Sequence, residues 1–328
     1  MGPKTISILE GNTFIVSDQA GNIDASPVDT HGLFAWDTRF LSRWVLTIDN
    51  QPLHALSTDD LEYFSAQFFL VPGTGTVYVD ADLSLMRKRS AGNGFREELL
   101  VRNEKSERRE VVIRLEAAAD FADLFEVKDA LSKKGETYQR VEDGRLVLGY
   151  RRETFVRETW VTSSAPCVLD PKGITFQVHM EPHGEWRATI DVQVPYALKA
   201  TPADPGQLGG PGAAAAPAKD LEGWLASAPK LTCDWAPMAR IYQRSLVDLA
   251  ALRFFPGIVA GALPAAGLPW FMSIFGRDSL LTSYQALPFV PELALTTLRA
   301  LAAWQGPVAT TSVMRSPARS CTNSDSGR

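Results

Sequence analysis

Apolar and polar residues alternate along most of the first 194 residues. In the clearest run, polar residues separate Trp186, Ala188, Ile190, Val192 and Val194. A period of two places successive side chains on opposite faces of a strand, so one face of each strand is predicted to be buried. Gly, Pro, Asp and Asn turns separate further predicted strands at residues 42–48, 95–103, 109–117, 145–150, 153–163 and 174–180. Many strands with few helices predict a large antiparallel β-sandwich over residues 1–197.

The alternation stops near residue 197. The next stretch, ALKATPADPGQLGGPGAAAAPAK, is rich in Pro, Gly and Ala and almost free of large apolar side chains. This composition is typical of a linker, which we place at residues 198–219.

Beyond the linker the apolar residues recur with a helical period. A helix is predicted to begin just after Pro237, with an apolar face made of Met238, Ile241, Tyr242, Leu246, Leu249 and Leu252. Two more helices are predicted at about 278–287 and 291–304. The last has apolar residues nearly all round, which predicts burial on most sides, at Leu293, Leu295, Leu298, Leu301 and Trp304.

Composition and charge exclude several classes of protein. The chain has 328 residues, 45% of them hydrophobic, and its 33 Lys and Arg against 38 Asp and Glu give a net charge of -5. Such a chain lacks the broad positive surface of a nucleic-acid-binding protein. It has no apolar run of signal-peptide length at its start and no stretch of about 18 apolar residues, which predicts a cytoplasmic protein without a membrane partner.

Cofactor and metal motifs are also missing from the sequence. Its three cysteines are widely spaced and lack nearby histidines, so they predict neither a disulfide framework nor a zinc site. There is no GxxxxGK[ST] and no HExxH motif. We therefore predict no cofactor and no metal.

Two stretches of the sequence resemble one family of carbohydrate-active enzymes. AGLPWFMSIFGRDSLLTSYQALPFVPEL, residues 266–293, resembles the first active-site loop of the amylo-α-1,6-glucosidase family, which comprises glycogen-debranching-type enzymes with (α/α)6 barrels. GLFAWDTRFLSRWVLTIDNQPL, residues 32–53, resembles the N-terminal β domain of that family. The resemblance implies a multidomain β + α fold, with a large antiparallel β-sandwich followed by the first helices of an incomplete (α/α)6 barrel at 220–306.

The resemblance also implies a glycoside hydrolase acting on α-1,6-linked glucose of glycogen or a related α-glucan. In similar enzymes an Arg-Asp pair grips glucose hydroxyls, a role that we transfer to Arg277 and Asp278. A guanidinium beside a carboxylate suits hydroxyl groups, and the rings of Trp270 and Phe271 suit the C–H face of a hexose. These four are the predicted substrate-binding residues. Without the resemblance, Asp278 is equally well a helix N-cap and Trp270 equally well a core aromatic.

The other polar residues are interpreted as structural. Asp37 and Arg39 in WDTRF are predicted to form an ion pair or turn network in the β domain, although an edge loop of that domain could approach the barrel mouth. No Ser-His-Asp or Cys-His pattern links the four histidines, His31, His54, His179 and His183.

The chain departs from the family after its third predicted helix. Inverting hydrolysis needs two carboxyl groups about 6.5–9.5 Å apart, and in the family these come from later barrel helices. The chain is therefore expected to contain no catalytic residue and to lack appreciable glucosidase activity. The alternatives are a non-catalytic carbohydrate-binding or interaction module, or another six-hairpin glycosidase of trehalose or glucosylglycerate type.

Residues 307–328 are interpreted as a non-native tail. They contain no Leu, Ile, Phe, Trp or Tyr. One permitted choice of codons for residues 308–327, read in a neighbouring frame, encodes DDFRDEEPGKILHELRFG, which resembles the segment that follows this point in the family. A frameshift near Pro307 explains this, and a disordered tail is the other interpretation. Sequencing the encoding DNA decides between them, because codons incompatible with that peptide exclude a frameshift.

Overall fold

The chain forms two compact units, a β unit before residue 196 and a helical unit after residue 214. The structure is a computed structural model that describes residues 5–27, 29–73, 82–129, 131, 133–195 and 215–305. The predicted tail at 307–328 and most of the predicted linker lie outside the described residues. No helix within these ranges is both long enough and apolar enough to cross a membrane.

The β unit contains seventeen of the described strands and one short helix, α1 (Leu124–Lys128). The strands are β1 (Ile6–Glu10), β2 (Thr13–Ser17), β3 (Ile23–Asp24), β4 (Gly32–Ala35), β5 (Thr38–Leu41), β6 (Arg43–Ile48), β7 (Gln51–Glu62), β8 (Ser65–Pro72), β9 (Leu83–Gly92), β10 (Gly94–Asn103), β11 (Arg109–Ala118), β12 (Glu136–Glu142), β13 (Arg145–Arg152), β14 (Phe155–Ser163), β15 (Val168–Asp170), β16 (Gly173–Met180) and β17 (Glu185–Gln193).

Thirteen of the described strands belong to one antiparallel sheet. Its order is β12-β13-β14-β17-β10-β9-β8-β7-β6-β11-β16-β15, and β3 pairs with β6. A smaller sheet has the order β1-β2-β4-β5. The long strand β7 contains two register shifts against β8, and such bulges bend a strand.

The large sheet packs against itself, so that strands distant along it share one core. The ring of Trp44 on β6 lies 5.7 Å from that of Phe95 on β10, and the ring of Phe176 on β16 lies 5.0 Å from that of Trp186 on β17. Trp44, Phe95 and Phe176 are buried. Each buried aromatic side chain removes about 150–250 Å² from water, worth roughly 4–6 kcal/mol at about 25 cal/mol per Å². The prediction of a large antiparallel β-sandwich is confirmed.

Seven of the strands match predicted strands to within about three residues at each end. Along β17, Ala188, Ile190 and Val192 are buried, as the alternation predicts, and Trp186 is half-buried. The hairpin between β12 and β13 turns at Asp143 and Gly144, whose φ angles are 49° and 72°. Positive φ at both central residues is the requirement of a type I′ turn, for which Asp-Gly is a preferred sequence.

Two arginines and a glutamate lie in the core of the β unit. Arg87, Arg89 and Glu97 have at most 1% of their surface exposed. Glu97 Oε2 accepts a hydrogen bond from Arg89 Nε at 2.8 Å and lies 2.9 Å from Arg87 Nε, and Glu97 Oε1 accepts one from Trp44 Nε1 at 3.0 Å. Burial by itself raises the pKa of Glu97, but the two guanidinium groups outweigh it and the net pKa is lowered.

The helical unit contains four described helices and a two-stranded hairpin. They are α2 (Ala215–Ser227), α3 (Ala236–Ala251), β18 (Arg253–Phe254), β19 (Leu263–Pro264), α4 (Gly276–Ala286) and α5 (Pro291–Trp304). The start of α3 and the bounds of α4 and α5 agree with the prediction to within two residues. The first five residues of α2 fall inside the segment predicted as linker. That these helices begin an (α/α)6 barrel remains a prediction.

Burial along α5 differs from the prediction. Leu293 is buried, but Leu295, Leu298 and Trp304 have 50%, 59% and 41% of their surface exposed. The prediction that α5 is buried on most sides is wrong for the described residues. Its contact with α4 uses one side, where the hydroxyl groups of Ser283 and Thr297 are hydrogen-bonded at 2.9 Å. The sequence shows which residues of a helix are apolar, but it does not show how many other helices or strands cover them.

The predicted apolar face of α3 is also only partly covered. Leu246 is buried and Leu249 packs against a small buried cluster. Met238 and Ile241, in the first half of the helix, are exposed. The covered part of α3 is therefore its second half, where Trp224 Nε1 on α2 donates a hydrogen bond to the carbonyl oxygen of Leu246.

Candidate functional site

The predicted binding loop joins β19 to α4 and contains a closed turn. Gly267 and Phe271 exchange main-chain hydrogen bonds of 3.1 Å and 2.9 Å, which bring the two ends of the turn together. Gly267 has φ 138°, a conformation that strongly favours glycine. Trp270 is half-buried within this turn, after a cis peptide bond between Leu268 and Pro269.

Alternate residues hold the rest of the loop in place. Met272 and Ile274 are buried, which anchors the chain between the turn and α4. Phe271 is 48% exposed, and its ring makes an edge contact with that of Phe275 at 5.4 Å between centroids. The loop thus presents an aromatic ring on a segment that buried neighbours immobilise.

Arg277 and Asp278 lie side by side in the first turn of α4, and both are exposed. The N-cap of α4 is Phe275, so Asp278 is the third residue of the helix and the N-cap interpretation is wrong. An acidic residue in a first turn interacts favourably with the helix dipole, by about 0.3–1 kcal/mol. Neither side chain makes a hydrogen bond or ion pair with another residue that the structure describes.

Packing against the hairpin positions the start of α4. Ser279 is buried, and its hydroxyl donates a hydrogen bond of 2.8 Å to the carbonyl oxygen of Pro264 on β19. The four predicted binding residues lie between positions 270 and 278 of the sequence. Phe271, Arg277 and Asp278 are exposed there, whereas Trp270 is half-buried.

The WDTRF hairpin is a structural feature of the β unit. Arg39 pairs with Asp120 rather than with Asp37, its Nε lying 3.1 Å from both carboxylate oxygens. Asp37 accepts a hydrogen bond from the hydroxyl of Thr38 at 3.3 Å. Burial raises the pKa of Asp37, and the nearby carboxylate of Asp123 adds to this. An ion pair and a turn network are both present, but they involve different acidic residues.

Sequence reasoning missed a cavity on the β unit. Its volume is about 190 Å³, and it is lined by Glu136, Thr137, Tyr138, Arg140 and Arg151. The polar and aromatic side chains at alternate positions of β12 are the sequence signal that could have indicated it. The described residues contain no cluster of three or more His, Cys, Asp or Glu that could hold a metal ion.

Comparison with known proteins places the β unit in a family. Residues 8–191 match the model of the N-terminal domain of some glycogen debranching enzymes. The chain belongs to this family. The debranching-enzyme domain covers more than half of the sequence and includes the WDTRF hairpin, the buried arginine and glutamate cluster, and the cavity on β12. The loop with Arg277 and Asp278 lies outside the matched residues.

Solved structures show only distant similarity to this chain. A kojibiose phosphorylase candidate from the human microbiome is 8% identical and covers 76% of this chain with a TM-score of 0.44. The aligned part is 35% of that protein, so our chain spans about a third of its length. A galactose mutarotase-like protein from Clostridium acetobutylicum is 9% identical over 44% of this chain and 67% of its own, with a TM-score of 0.23. No curated protein sequence matches the chain.

Proposed function

We propose that this chain is part of a glycogen-debranching-type glycoside hydrolase that acts on α-1,6-linked glucose of glycogen or a related α-glucan. The family match over residues 8–191 is the observation that supports it. Within this proposal, residues 266–278, which form the loop before α4 and the first turn of that helix, bind a glucose unit of the substrate.

The side chains of the loop suit a sugar. Arg277 offers a fork of N–H donors and Asp278 offers carboxylate acceptors, so that the pair can bind neighbouring hydroxyl groups. Both are exposed, and neither has a competing partner among the described residues. The exposed ring of Phe271 supplies an apolar surface for the C–H face of the sugar.

The same loop is suited to binding rather than to bond cleavage. Residues 266–278 contain a single carboxyl side chain, Asp278. Hydrolysis of a glycosidic bond uses two carboxyl groups, one to protonate the leaving oxygen and one to activate water or attack the sugar. We therefore assign substrate binding to the loop. The family resemblance, in which the catalytic carboxyl groups come from later barrel helices, is the reason that we expect no appreciable glucosidase activity from the 328-residue chain.

Binding to glycogen in affinity gel electrophoresis tests the role of the loop. Arg277→Ala and Asp278→Ala should each weaken retention by tenfold or more, because a hydrogen bond to a charged group is worth about 1.5–3 kcal/mol. Arg299→Ala and Glu292→Ala are matched controls, since both residues are exposed on the neighbouring α5. Equal retention of the loop variants and the controls would overturn the assignment.

An activity assay tests the second part of the proposal. The purified chain should release no glucose from glycogen limit dextrin, and measurable turnover would overturn that expectation. Parallel assays with trehalose, with glucosylglycerate and with added phosphate separate the debranching assignment from other six-hairpin glycosidases and phosphorylases.

A further inference from the structure

The cavity on the outer face of β12 and β13 is built around one aromatic ring. Tyr138 on β12 lies opposite Gly149 on β13, and a Cβ atom at position 149 would collide with the tyrosine ring. The ring therefore lies across the main chain of β13, which only a glycine there permits. The guanidinium carbon atoms of Arg140 and Arg151 lie 5.0 Å and 5.8 Å from the centre of this ring.

Hydrogen bonds hold the ring in this position. The hydroxyl of Tyr138 donates to Glu158 Oε1 at 2.6 Å, and Trp160 Nε1 donates to the other oxygen of Glu158 at 2.8 Å. Burial raises the pKa of Tyr138, and the hydrogen bond to Glu158 raises it further, so the phenol stays protonated near neutral pH. The aromatic surface of the cavity is thus already oriented before any ligand arrives.

Two charged side chains of the cavity make no ion pair or hydrogen bond within the described part of the chain. Glu136 and Arg151 lie directly opposite each other on β12 and β13. Neither makes an ion pair or a hydrogen bond with another described residue, although both line the cavity. By contrast, Arg140 is held by Glu142 at 2.8 Å and by Glu158 at 2.9 Å. The cavity therefore offers one open acceptor group and one open donor group beside the ring.

We propose that this β12 cavity, which lies within the β unit, binds a sugar ring of the α-glucan. The identity of the sugar rests on the proposed function. A hexose needs both donors and acceptors for its hydroxyl groups and a flat apolar surface for its C–H face. Arg151, Glu136 and Tyr138 supply these three elements.

The size and charge of the cavity favour a neutral ligand with one bound ring. Its volume of about 190 Å³ lies below the roughly 300–1,000 Å³ that is typical of small-molecule sites, so further sugar units would remain in solvent. The carboxylate of Glu136 disfavours a phosphate group, and the charge of Arg140 is already neutralised by Glu142 and Glu158.

Glycogen affinity electrophoresis of the full chain tests the proposal with three double variants. Glu136→Ala/Arg151→Ala should weaken retention about tenfold, a loss of about 1.4 kcal/mol. Arg108→Ala/Glu181→Ala is the matched control, because it removes an exposed pair of the same charges elsewhere on the β unit, and it should behave as the wild type. Arg277→Ala/Asp278→Ala tests the loop in the same gel.

The pattern across the variants separates the two assignments. Weaker retention of the cavity variant supports the β12 site whatever the loop variant does. Weaker retention of the loop variant alone overturns the β12 site and leaves the proposed function standing. If inorganic phosphate releases the wild-type chain from glycogen and maltohexaose does not, the β12 site is also overturned. If glycogen does not retain even the wild-type chain, both assignments are overturned.

Hydrogen exchange of the wild-type chain provides a test that does not depend on how the variants fold. Saturating maltohexaose should slow amide exchange in peptides from residues 136–152 and leave peptides from β11 and β16 unchanged. Unchanged exchange at 136–152 would contradict the proposal.

Discussion

Replacement of Glu97 with Gln removes the only carboxylate that, among the described residues, contacts both buried arginines. The amide keeps the shape of the side chain and an oxygen that can accept from Trp44, but it leaves the guanidinium groups of Arg87 and Arg89 without this counter-ion in the core. Breaking a buried ion pair by removing one partner destabilises a protein by about 3–5 kcal/mol. We expect a loss of this size in the free energy of unfolding of the β unit.

Hydrogen exchange measured by mass spectrometry resolves this loss from the behaviour of the helical unit. Peptides from residues 83–103 cover β9 and β10, which carry all three charges. Where the equilibrium between the folded and the open state governs amide exchange, a loss of about 3–5 kcal/mol in the free energy of unfolding speeds exchange by about two to nearly four powers of ten.

The effect of pH follows from the lowered pKa of Glu97. A carboxylate whose pKa in the folded chain lies below its ordinary value of 4.5 stabilises the fold above that value, and this contribution is lost as the pH falls through the folded pKa. The difference in exchange between the wild type and Glu97→Gln should therefore narrow as the pH is lowered beneath about 4.5.

Glu116→Gln is the matched control for this experiment. Glu116 pairs with Arg43 on the surface, where 44% of its side chain is exposed. Such pairs contribute up to about 1 kcal/mol, which corresponds to about a fivefold change in exchange. If Glu97→Gln speeds exchange no more than Glu116→Gln does, the argument from buried charge is wrong.

Two further substitutions test local features of the β unit. Gly94 has φ 117°, and a Cβ there would collide with the carbonyl oxygen of Val192. Gly94→Ala should therefore lower the free energy of unfolding in urea, by about 1–3 kcal/mol from the strained backbone and by a further amount from the collision. Gly144→Ala is the control, because Gly144 also has a positive φ, 72°, but its added Cβ meets open space. An equal loss in the two variants would contradict the collision. Asp123 caps α1 by accepting from the amides of Phe125 and Glu126 at 2.9 Å and 2.8 Å, so Asp123→Ala should destabilise this helix by about 1 kcal/mol and speed exchange at 124–128. Asp123→Asn should retain most of the cap, and identical exchange in the Ala and Asn variants would refute the capping argument.

Alternation predicts a strand such as β17, whose buried residues Ala188, Ile190 and Val192 are all apolar. β9 was not predicted, because its buried face carries Arg87 and Arg89 together with Leu83 and Leu85. Two charged residues at inward positions interrupt the alternation on which the prediction depends. Only the partner strand, which brings Glu97 to the same place, makes these positions compatible with a core.

The candidate loop was predicted from its residues and from the family resemblance, and the structure adds their placement. Arg277 and Asp278 are both exposed, which supports a binding role. The cavity on β12 was not predicted, because Glu136 and Arg151 are separated by a hairpin and become neighbours only through the pairing of its two strands. No pattern within β12 alone shows which residue of β13 faces Glu136.

The sequence by itself determined seven of the seventeen strands described in the β unit, the Asp143-Gly144 turn, the start of α3 and the bounds of α4 and α5, because these depend on short periodicities and on local backbone preferences. The tertiary structure decided the order of the strands, including β17 between β14 and β10, and the pairing of Arg39 with Asp120. It also decided which apolar residues of α5 are covered. These features depend on which distant segments meet, and a pattern repeated every two or four residues contains no information about that.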